Sequence, residues 1–258
     1  MNLYRKDIFD LYESNSQRIR VLTEKWTENN MFCPACLNLH IKQFPNNMPV
    51  ADFFCPKCNE QYQLKSQKNK FSKRILDGAY KLMIDSIRKN RRPNFFLLKY
   101  NPNYYIENLF LLPSFFFIEG VIEKRKALSE SARRAGWIGC NILLNKIPPE
   151  GIIKIIDKSK LTGRDIILSQ WKKVNFIKET PLPERGWIID MLRVVHSLGK
   201  KEFALREVYE YEEELAKIHP KNNYIKAKIR QQLQILRDKG ILKFKERGKY
   251  LVLQEYAP

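Results

Sequence analysis

Two C-x-x-C pairs constrain this chain more than any other feature of its sequence. Cys33 and Cys36 form the first pair, and Cys55 and Cys58 form the second. The interval between the pairs lies in the range expected for a four-cysteine zinc site. Because each turn can bring two thiolates to one tetrahedral ion, the sequence predicts a structural Zn²⁺ ion bound within residues 33–58.

The segments that flank the second pair predict a second, catalytic metal site. Residues 48–54 are typical of a short apolar strand, and Asp52 is its single charge. Residues 62–66 alternate with period two, which places Gln63 and Lys65 on one face. If the two strands pair, Asp52 faces them, and the set forms the P-D…(D/E)-x-K pattern of metal-dependent nucleases.

Hydrolysis of a phosphodiester explains why these residue types stand together. A hard cation such as Mg²⁺ is held by oxygen ligands and lowers the pKa of the attacking water. Asp52, the Gln63 side chain and the Leu64 carbonyl are the candidate ligands. Lys65 is expected to orient or activate the water and to stabilise the developing negative charge. The alternative is that Asp52 and Lys65 form a solvated pair beside a structural zinc ion.

Several longer strings make the chain similar to a known family. They are N-x-x-P-V-A-D-F-x-C-x-x-C with the following L-K-S, D-G-A-Y at 77–80, P-N-F-F at 93–96, A-R-R-A-G-W-I-G-C-N at 132–141 and K-I-R-Q-Q-L-Q-I-L-R-D-K at 228–239. In this order they resemble the DpnI family of restriction endonucleases. The resemblance implies a PD-(D/E)XK catalytic domain with a zinc site, a following winged helix, and cleavage of GATC sites whose adenine is methylated.

One position departs from the family pattern, which has a glutamate where this chain has Gln63. Glutamine keeps the shape and one oxygen ligand but removes a negative charge beside the cation, so metal binding is expected to weaken. Loss of one stabilising group of this kind lowers a rate by about 10²- to 10³-fold. Both an active variant and a catalytically impaired form of the nuclease are compatible with the sequence.

The composition favours a globular protein with a polyanionic partner. The chain has 258 residues, 44% of them hydrophobic, and a formal net charge of +19. The charge indicates double-stranded DNA as the partner, although base bias in a genome can also enrich lysine. Cysteine pairs suited to zinc, a charged start from Met1 to Asp7 and the lack of a long apolar run predict a cytoplasmic protein without a membrane partner.

The order of elements predicts an α/β catalytic domain over residues 1–180. Helical periodicity covers residues 4–30, where Asp10, Glu13 and Glu24 are interpreted as solvated charges, and it covers residues 71–89. Residues 95–100 and 108–112 are expected to be strands, the first of them central and buried. Alternation of strands and helices is typical of the α/β class. Residues 178–184 contain two prolines and are interpreted as a linker.

Residues 133–137 combine two arginines, a glycine and a tryptophan. On composition alone, a core tryptophan with two surface arginines is the simpler interpretation. The resemblance instead implies that Arg133 and Arg134 contact DNA and that Trp137 senses the methyl groups by apolar contact.

A winged helix-turn-helix domain is predicted over residues 186–258. Three helices are expected at 187–198, 205–218 and 224–239, the last capped by Gly240, followed by two strands around residues 247–248. The third helix carries one apolar stripe and one polar stripe, and the polar stripe and the wing supply the candidate DNA contacts Asn223, Lys226, Arg230, Gln234, Arg237, Arg247 and Lys249. Amide and guanidinium groups suit adenine and guanine in a major groove.

The leading hypothesis is a monomeric, Mg²⁺-dependent type II restriction endonuclease of the methyl-directed kind. The main alternative from another class is a non-catalytic DNA-binding regulator built from a zinc ribbon and a winged helix. A regulator has no need for the face formed by Asp52, Gln63 and Lys65, so that face discriminates the two. His40, His196 and His219 are assigned no role.

Overall fold

A seven-stranded mixed sheet forms the centre of the molecule. The computed structural model describes residues 1–45 and 51–253. The strand order of this sheet is β1-β2-β3-β5-β6-β9-β10, and β3 pairs with β5 in parallel while the other neighbours are antiparallel. Its strands are β1 (Lys42–Gln43), β2 (Phe53–Phe54), β3 (Gln61–Gln67), β5 (Asn94–Tyr100), β6 (Ile106–Leu112), β9 (Ile153–Asp157) and β10 (Lys160–Leu161).

Two smaller sheets accompany the central one. The first has the order β4-β8-β7, with β4 (Arg74–Ala79), β7 (Ile122–Lys124) and β8 (Gly139–Leu143). The second has the order β11-β13-β12, with β11 (Glu202–Ala204), β12 (Leu242–Glu246) and β13 (Lys249–Val252). All pairs in both small sheets are antiparallel.

Nine α-helices complete the part of the chain described above. They are α1 (Lys6–Leu11), α2 (Asn15–Asn30), α3 (Tyr80–Arg88), α4 (Arg164–Val174), α5 (Phe176–Glu179), α6 (Leu182–Ser197), α7 (Leu205–Tyr209), α8 (Glu212–Ile218) and α9 (Ile225–Asp238). The predicted α/β class with a mixed sheet is therefore confirmed. The two helices expected within residues 4–30 are present as α1 and α2.

Strand β5 lies at the centre of the hydrophobic core, as its unbroken apolar sequence predicts. Phe95, Phe96 and Leu98 are completely buried, and Tyr62 of β3 stacks on Phe96 with ring centroids 5.0 Å apart. Burial of an aromatic side chain stabilises the fold by about 1.5–3 kcal/mol. Gln63 and Lys65, the candidate catalytic residues of β3, therefore lie on a strand that is packed into the hydrophobic core.

The predicted helix over residues 71–89 is wrong in its first half. Residues 74–79 form β4, which pairs with β8 in the register Ile75↔Ile142 and Asp77↔Cys140. The helix α3 begins only at Tyr80. Ile75 and Ala79 fit a helical period, but pairing with a strand more than sixty residues later decides the local structure, and sequence periodicity cannot detect such a partner.

Two other predicted boundaries also move. The expected linker at 178–184 is short, because α5 ends at Glu179 and α6 begins at Leu182 with Pro183 in its first turn. Proline is tolerated there, since the first N–H groups of a helix have no partner within it. The expected second helix at 205–218 is divided into α7 and α8. Of the predicted apolar strand at 48–54, only Phe53–Phe54 forms a strand among the described residues, and residues 48–50 lie outside them.

Candidate active site and metal centre

The four cysteines of the two C-x-x-C pairs converge on one point. Their Sγ atoms all lie within 4.8 Å of one another. The Sγ atoms of Cys33 and Cys58 are 3.6 Å apart, and those of Cys36 and Cys55 are 3.5 Å apart. A tetrahedral ion with Zn–S distances of about 2.3 Å requires S–S distances of about 3.8 Å, so the donor set fits Zn²⁺ closely.

The two pairs form equivalent turns. The N–H of Leu37 donates to the carbonyl of Cys33 at 2.9 Å, and the N–H of Asn59 donates to the carbonyl of Cys55 at 2.8 Å. Leu37 and Asn59 each follow the second cysteine of a pair and have positive φ angles of 67° and 59°. A positive φ is uncommon outside glycine, so its occurrence at matched positions indicates that both turns are shaped for the same purpose.

The cysteine cluster is connected to strand β3. The hydroxyl of Tyr62 lies 3.1 Å from Sγ of Cys33, and the backbone of β2 pairs with β3 in the register Phe53↔Tyr62. Groups that surround a metal site orient its ligands. The cluster therefore fixes the end of the chain segment that carries Asp52.

Asp52 lies directly before β2 and remains hydrogen-bonded to β3. Its N–H donates to the carbonyl of Tyr62 at 2.9 Å, and its carbonyl accepts from Phe44 at 2.8 Å. Its Oδ2 accepts the N–H of Leu64 at 2.6 Å. Among the described residues, Oδ1 has no hydrogen-bond partner. Burial raises the pKa of Asp52, while the Leu64 N–H and the nearby charge of Lys65 oppose this shift.

Gln63 and Lys65 lie on the same face of β3, because they are separated by one residue of a strand. Gln63 pairs with Phe95 and Lys65 with Leu97 in the parallel neighbour β5. Ser66 points to the opposite face, where the hydroxyl of Thr23 on α2 contacts it. Gln63, Leu64 and Lys65 on β3 are therefore neighbours of Asp52, which directly precedes β2.

The oxygen donors near Asp52 fit a hard divalent cation by chemistry. A carboxylate with one free oxygen, a side-chain amide and a backbone carbonyl are all ligands that Mg²⁺ accepts, usually with several waters. The set carries one negative charge, where the family pattern with a glutamate in place of Gln63 has two.

The sequence did not reveal the immediate partners of Lys65. Its Nζ lies 2.7 Å from Oδ1 of Asp77, and Oδ2 of Asp77 lies 2.6 Å from Nη2 of Arg92. Burial raises the pKa of Asp77, but Lys65 and Arg92 outweigh it and hold the pKa below its ordinary value. Asp77 belongs to the D-G-A-Y string, and the mistaken helix over residues 71–89 concealed its position on a strand that faces Lys65.

Helix α2 brings one carboxylate to the same region. The side chain of Glu24 is only 15% exposed and accepts from the Gln43 side chain at 2.9 Å. Burial raises the pKa of Glu24. The negative charge of Asp52 also raises this pKa, and the positive charge of Arg20 lowers it. The interpretation of Glu24 as a solvated charge is wrong, whereas Asp10 and Glu13 are exposed as expected.

Arg133, Arg134 and Trp137 lie in the loop between β7 and β8. Both arginines are exposed, and Trp137 is half-buried. The carbonyl of Trp137 accepts from Leu128 at 2.9 Å, which closes the loop. A Cβ added to Gly139 would lie 2.7 Å from the indole ring, so glycine is required for the tryptophan to pack there. The loop therefore exposes Arg133 and Arg134 to solvent, while the packing of Trp137 against Gly139 holds the loop in place.

The predicted third helix of the C-terminal unit is present as α9, capped by Gly240 in the left-handed region with φ +66°. Ile225, Ile229, Leu233 and Leu236 form its buried stripe, as predicted. The polar stripe at Asn223, Lys226, Arg230 and Gln234 is exposed. Two of these cations have partners inside the unit, since Lys226 pairs with Glu212 at 3.1 Å and Arg230 donates to the Tyr209 hydroxyl at 2.8 Å.

The remaining predicted contacts lie at the end of α9 and on the wing. Arg237 is half-buried and lies over the ring of Phe244, with its guanidinium carbon 5.0 Å from the centroid. Arg247 is exposed at the turn between β12 and β13, and Lys249 pairs with Glu246. Tyr224 was not predicted, although it is 78% exposed directly before α9, beside the predicted contacts.

The C-terminal unit packs closely on the rest of the chain. Arg185 near the start of α6 is buried and donates to the Asn90 side chain at 3.0 Å and to the carbonyl of Lys178 at 2.8 Å. His196 at the end of α6 lies 2.7 Å from a buried oxygen of Glu150. In the described part of the chain, no helix combines the length and the apolar character needed to cross a bilayer.

These features define the class of the protein: a mixed α/β protein with a four-cysteine cluster compatible with zinc, followed by a helix-turn-helix domain. Comparison with family models identifies it further. Residues 1–180 match the DpnI model, described as the Dam-replacing family, and residues 183–251 match the Dam-replacing HTH domain. The chain belongs to the DpnI family, a family of methyl-directed restriction enzymes, and the resemblance seen in the sequence is confirmed.

Proposed function

We propose that this chain is a Mg²⁺-dependent endonuclease that hydrolyses DNA at GATC sites containing N6-methylated adenine. The observation that carries the proposal is the position of Asp52, whose carboxylate is fixed by the Leu64 N–H at 2.6 Å beside Gln63 and Lys65. A regulator without catalysis has no use for a half-buried carboxylate with a raised pKa and one free oxygen.

Asp52, the amide oxygen of Gln63 and the carbonyl of Leu64 would hold the Mg²⁺ ion. When bound, the ion supplies an activated water and neutralises charge on the phosphate. Lys65 stabilises the negative charge that accumulates on the phosphate oxygens as the new P–O bond forms. The attacking water gives up a proton to solvent water, the bond from phosphorus to the leaving oxygen breaks, and that oxygen takes a proton from solvent water.

Zn²⁺ has a structural role in this proposal, with Cys33, Cys36, Cys55 and Cys58 as its ligands. Four protein ligands leave no open position for a substrate, which is typical of structural rather than catalytic zinc. Its function is to hold the turn between β2 and β3 and the hydroxyl of Tyr62 in place, and through them the segment at Asp52.

DNA binding is shared between two surfaces. The loop with Arg133, Arg134 and Trp137 serves the catalytic domain at residues 1–180, where the arginines contact phosphates and Trp137 contacts the methyl groups. Helix α9 and its wing serve the winged helix at residues 186–258, through Asn223, Lys226, Arg230, Gln234, Arg237, Arg247 and Lys249. Exposure of most of these cations and the net charge of +19 support this assignment.

A plasmid digest tests the proposal. We expect the purified, monomeric protein with Mg²⁺ to cut a plasmid from a host that methylates adenine in GATC and to spare the same plasmid from a host that does not. Equal cleavage of both plasmids would contradict the methylation requirement. An inactive protein that gains activity with Gln63→Glu would identify an impaired nuclease.

The competing proposal of a non-catalytic regulator makes a different prediction in the same assay. A regulator retains specific binding to DNA but shows no cleavage in either the present chain or the Gln63→Glu variant. Binding measured without Mg²⁺ and cleavage measured with it therefore separate the two functions.

A further inference from the structure

We propose that Asp77 is a positioning residue of the hydrolytic site, which holds the ammonium group of Lys65 in a chain that lacks the family's carboxylate two residues before that lysine. This inference rests on the proposed function and adds a residue to it. It explains how a chain with Gln63 keeps its catalytic lysine ordered.

The Asp77 carboxylate has a single orientation, because each of its oxygens contacts a different cation. Oδ1 contacts Nζ of Lys65 at 2.7 Å, and Oδ2 contacts Nη2 of Arg92 at 2.6 Å. The side chain of Asp77 is 7% exposed and that of Arg92 is 8% exposed. Charge-assisted hydrogen bonds of this length are among the strongest in proteins, so each oxygen is committed to one cation.

Arg92 is itself fixed by the core. Its guanidinium carbon lies 4.8 Å from the ring centroid of Phe95 and 5.7 Å from that of Phe117. Phe95 is the β5 neighbour of Gln63 and is completely buried. The core therefore holds the Arg92 side chain in place, Arg92 holds the Asp77 carboxylate, and Asp77 holds the Lys65 ammonium group.

Stability alone gives little reason for this arrangement. A buried ionic group often stabilises a fold no better than apolar residues of similar volume. In addition, Nε of Arg92 is buried without a hydrogen-bond partner in the described part of the chain. An unpaired buried N–H costs about 1–3 kcal/mol. These costs favour a positioning role for the cluster, because such a role requires fixed charges near the substrate.

The residue at position 63 explains why Lys65 needs this partner. In the family pattern, a glutamate there lies on the same face as the lysine, two residues away, and can balance its charge. Gln63 has no charge, and the carboxylate of Asp52 is bound to the Leu64 N–H. Among the described residues, Asp77 is the only carboxylate that forms an ion pair with Lys65.

The test moves a negative charge from position 77 to position 63 in the whole chain. Asp77→Asn is expected to lower kcat on a methylated duplex by about 10²- to 10³-fold with little change in KM, because it removes an interaction used in the transition state. Gln63→Glu returns a carboxylate to Lys65, so it should raise kcat at least about tenfold more in Asp77→Asn than in the wild-type chain, where its effect is limited to the Mg²⁺ site. Failure of the double variant to recover, or full activity of Asp77→Asn, would overturn the inference.

Two further variants separate positioning from folding. Asp77→Glu keeps the charge but moves the carboxylate, so it should fold and still lose most of kcat. Glu123→Gln is the matched control, because it breaks the ion pair with Arg74 in the same three-stranded sheet, away from Lys65. The control should cut at the normal rate, and wild-type activity in Asp77→Glu would count against positioning.

A spectroscopic measurement keeps the inference separate from the proposed function. With ¹⁵N-labelled lysine, an ordered Lys65 ammonium should give a slowly exchanging NMR signal that disappears in Lys65→Arg and in Asp77→Asn. An inactive wild-type protein that shows this signal would refute the proposed function and leave the Asp77 contact intact. Persistence of the signal in Asp77→Asn would refute the positioning role.

Discussion

At the residue scale, Asp52 and Asp77 are neighbours of the same lysine with opposite pKa shifts. Burial raises the pKa of Asp52, and its hydrogen bond and cations do not compensate. Burial also opposes ionisation of Asp77, but two direct ion pairs with Lys65 and Arg92 lower its pKa. The charged form of Asp52 therefore costs stability, whereas the charged form of Asp77 contributes to it.

Asp52→Asn should consequently stabilise the protein while it abolishes cleavage. The unfolded carboxyl has a pKa of 3.8 and the folded one lies higher, so wild-type stability falls as the pH rises between these values. The variant should melt at a higher temperature than wild type at pH 7, and the difference should shrink towards zero below pH 3.8. Thermal melts across this pH range check it, and a lower melting temperature of the variant at pH 7 would contradict the account.

Asp77→Asn should have the opposite effect on stability. The pKa of Asp77 is lowered from 3.8, so its contribution is present above that value and is lost as the pH falls through the folded pKa. The variant should melt below wild type at pH 7 and approach it in acid. The same melts measure this, and a pH-independent difference would show that the charge of Asp77 is not responsible.

Most residues of the candidate site could be predicted from the sequence, but not all of their contacts. Asp52, Gln63 and Lys65 could be located because a two-residue alternation places side chains on one face. Asp77 could not, because its strand is defined by pairing with β8, far along the chain. Glu24 could not either, because the approach of α2 to the sheet is a property of packing.

At the scale of elements, the loop between β7 and β8 and the helix α9 present different chemistry. The loop combines exposed Arg133 and Arg134 with a half-buried Trp137, while α9 presents amides and cations along one stripe. Phosphate contacts position a protein on DNA, whereas base contacts specify the sequence. The two elements can therefore be distinguished by how their variants respond to salt and to DNA sequence.

Alanine at both Arg133 and Arg134 should weaken binding to all duplexes alike and reduce the dependence on salt. Each lost phosphate contact lowers the slope of log K against log[salt] by about 0.9. Fluorescence anisotropy over a range of salt concentrations, without Mg²⁺, measures both effects. Lys81→Ala on the exposed side of α3 is a control for lost charge. A selective loss of binding to GATC duplexes alone would refute the phosphate role.

Gln234→Ala on α9 should instead reduce discrimination. A bidentate amide contact to adenine contributes about 1–3 kcal/mol of preference for the correct base. Affinity for the methylated GATC duplex should fall by about tenfold or more, and affinity for a duplex without GATC should stay constant. Gln17→Ala on α2 is a matched control, because Gln17 is an exposed helical glutamine outside the predicted surfaces. An equal loss on both duplexes would place Gln234 away from the bases.

The winged helix was predicted well and the β4 region was not, for one physical reason. In α9 the apolar stripe and the capping glycine are local signals, and both are observed. Strand β4 has Ile75 and Ala79 at a helical interval, and only its tertiary partner β8 reveals a strand. The division of the second helix into α7 and α8 likewise follows packing that the acidic run of α8 does not indicate.

At the scale of the whole molecule, the cysteine cluster is expected to determine whether Asp52 is held beside Gln63 and Lys65. Its second turn connects β2 to β3, and Tyr62 connects Cys33 with the central sheet. Structural zinc contributes about 10–16 kcal/mol of binding energy in small model sites. Loss of the ion is therefore expected to unfold the region from Cys33 to Cys58, which includes Asp52.

Cys36→Ser should lose the bound zinc, lower the melting temperature and abolish cleavage. Cys140→Ala is the matched control, since it removes a buried thiol outside the cluster. Atomic absorption should find one zinc per chain in wild type and in the control, and none in Cys36→Ser. A Cys36→Ser protein with full zinc content and unchanged melting would disprove the structural role.

The most direct measurement of the central claim is single-turnover cleavage of a duplex with one GATC site. Wild-type protein with Mg²⁺ should cut the duplex when its adenines are methylated and leave the unmethylated duplex intact. Asp52→Asn should bind the methylated duplex as tightly as wild type and cut it at least about a thousandfold more slowly. Equal rates for wild type and Asp52→Asn would contradict the account, because hydrolysis would then have its origin elsewhere in the molecule.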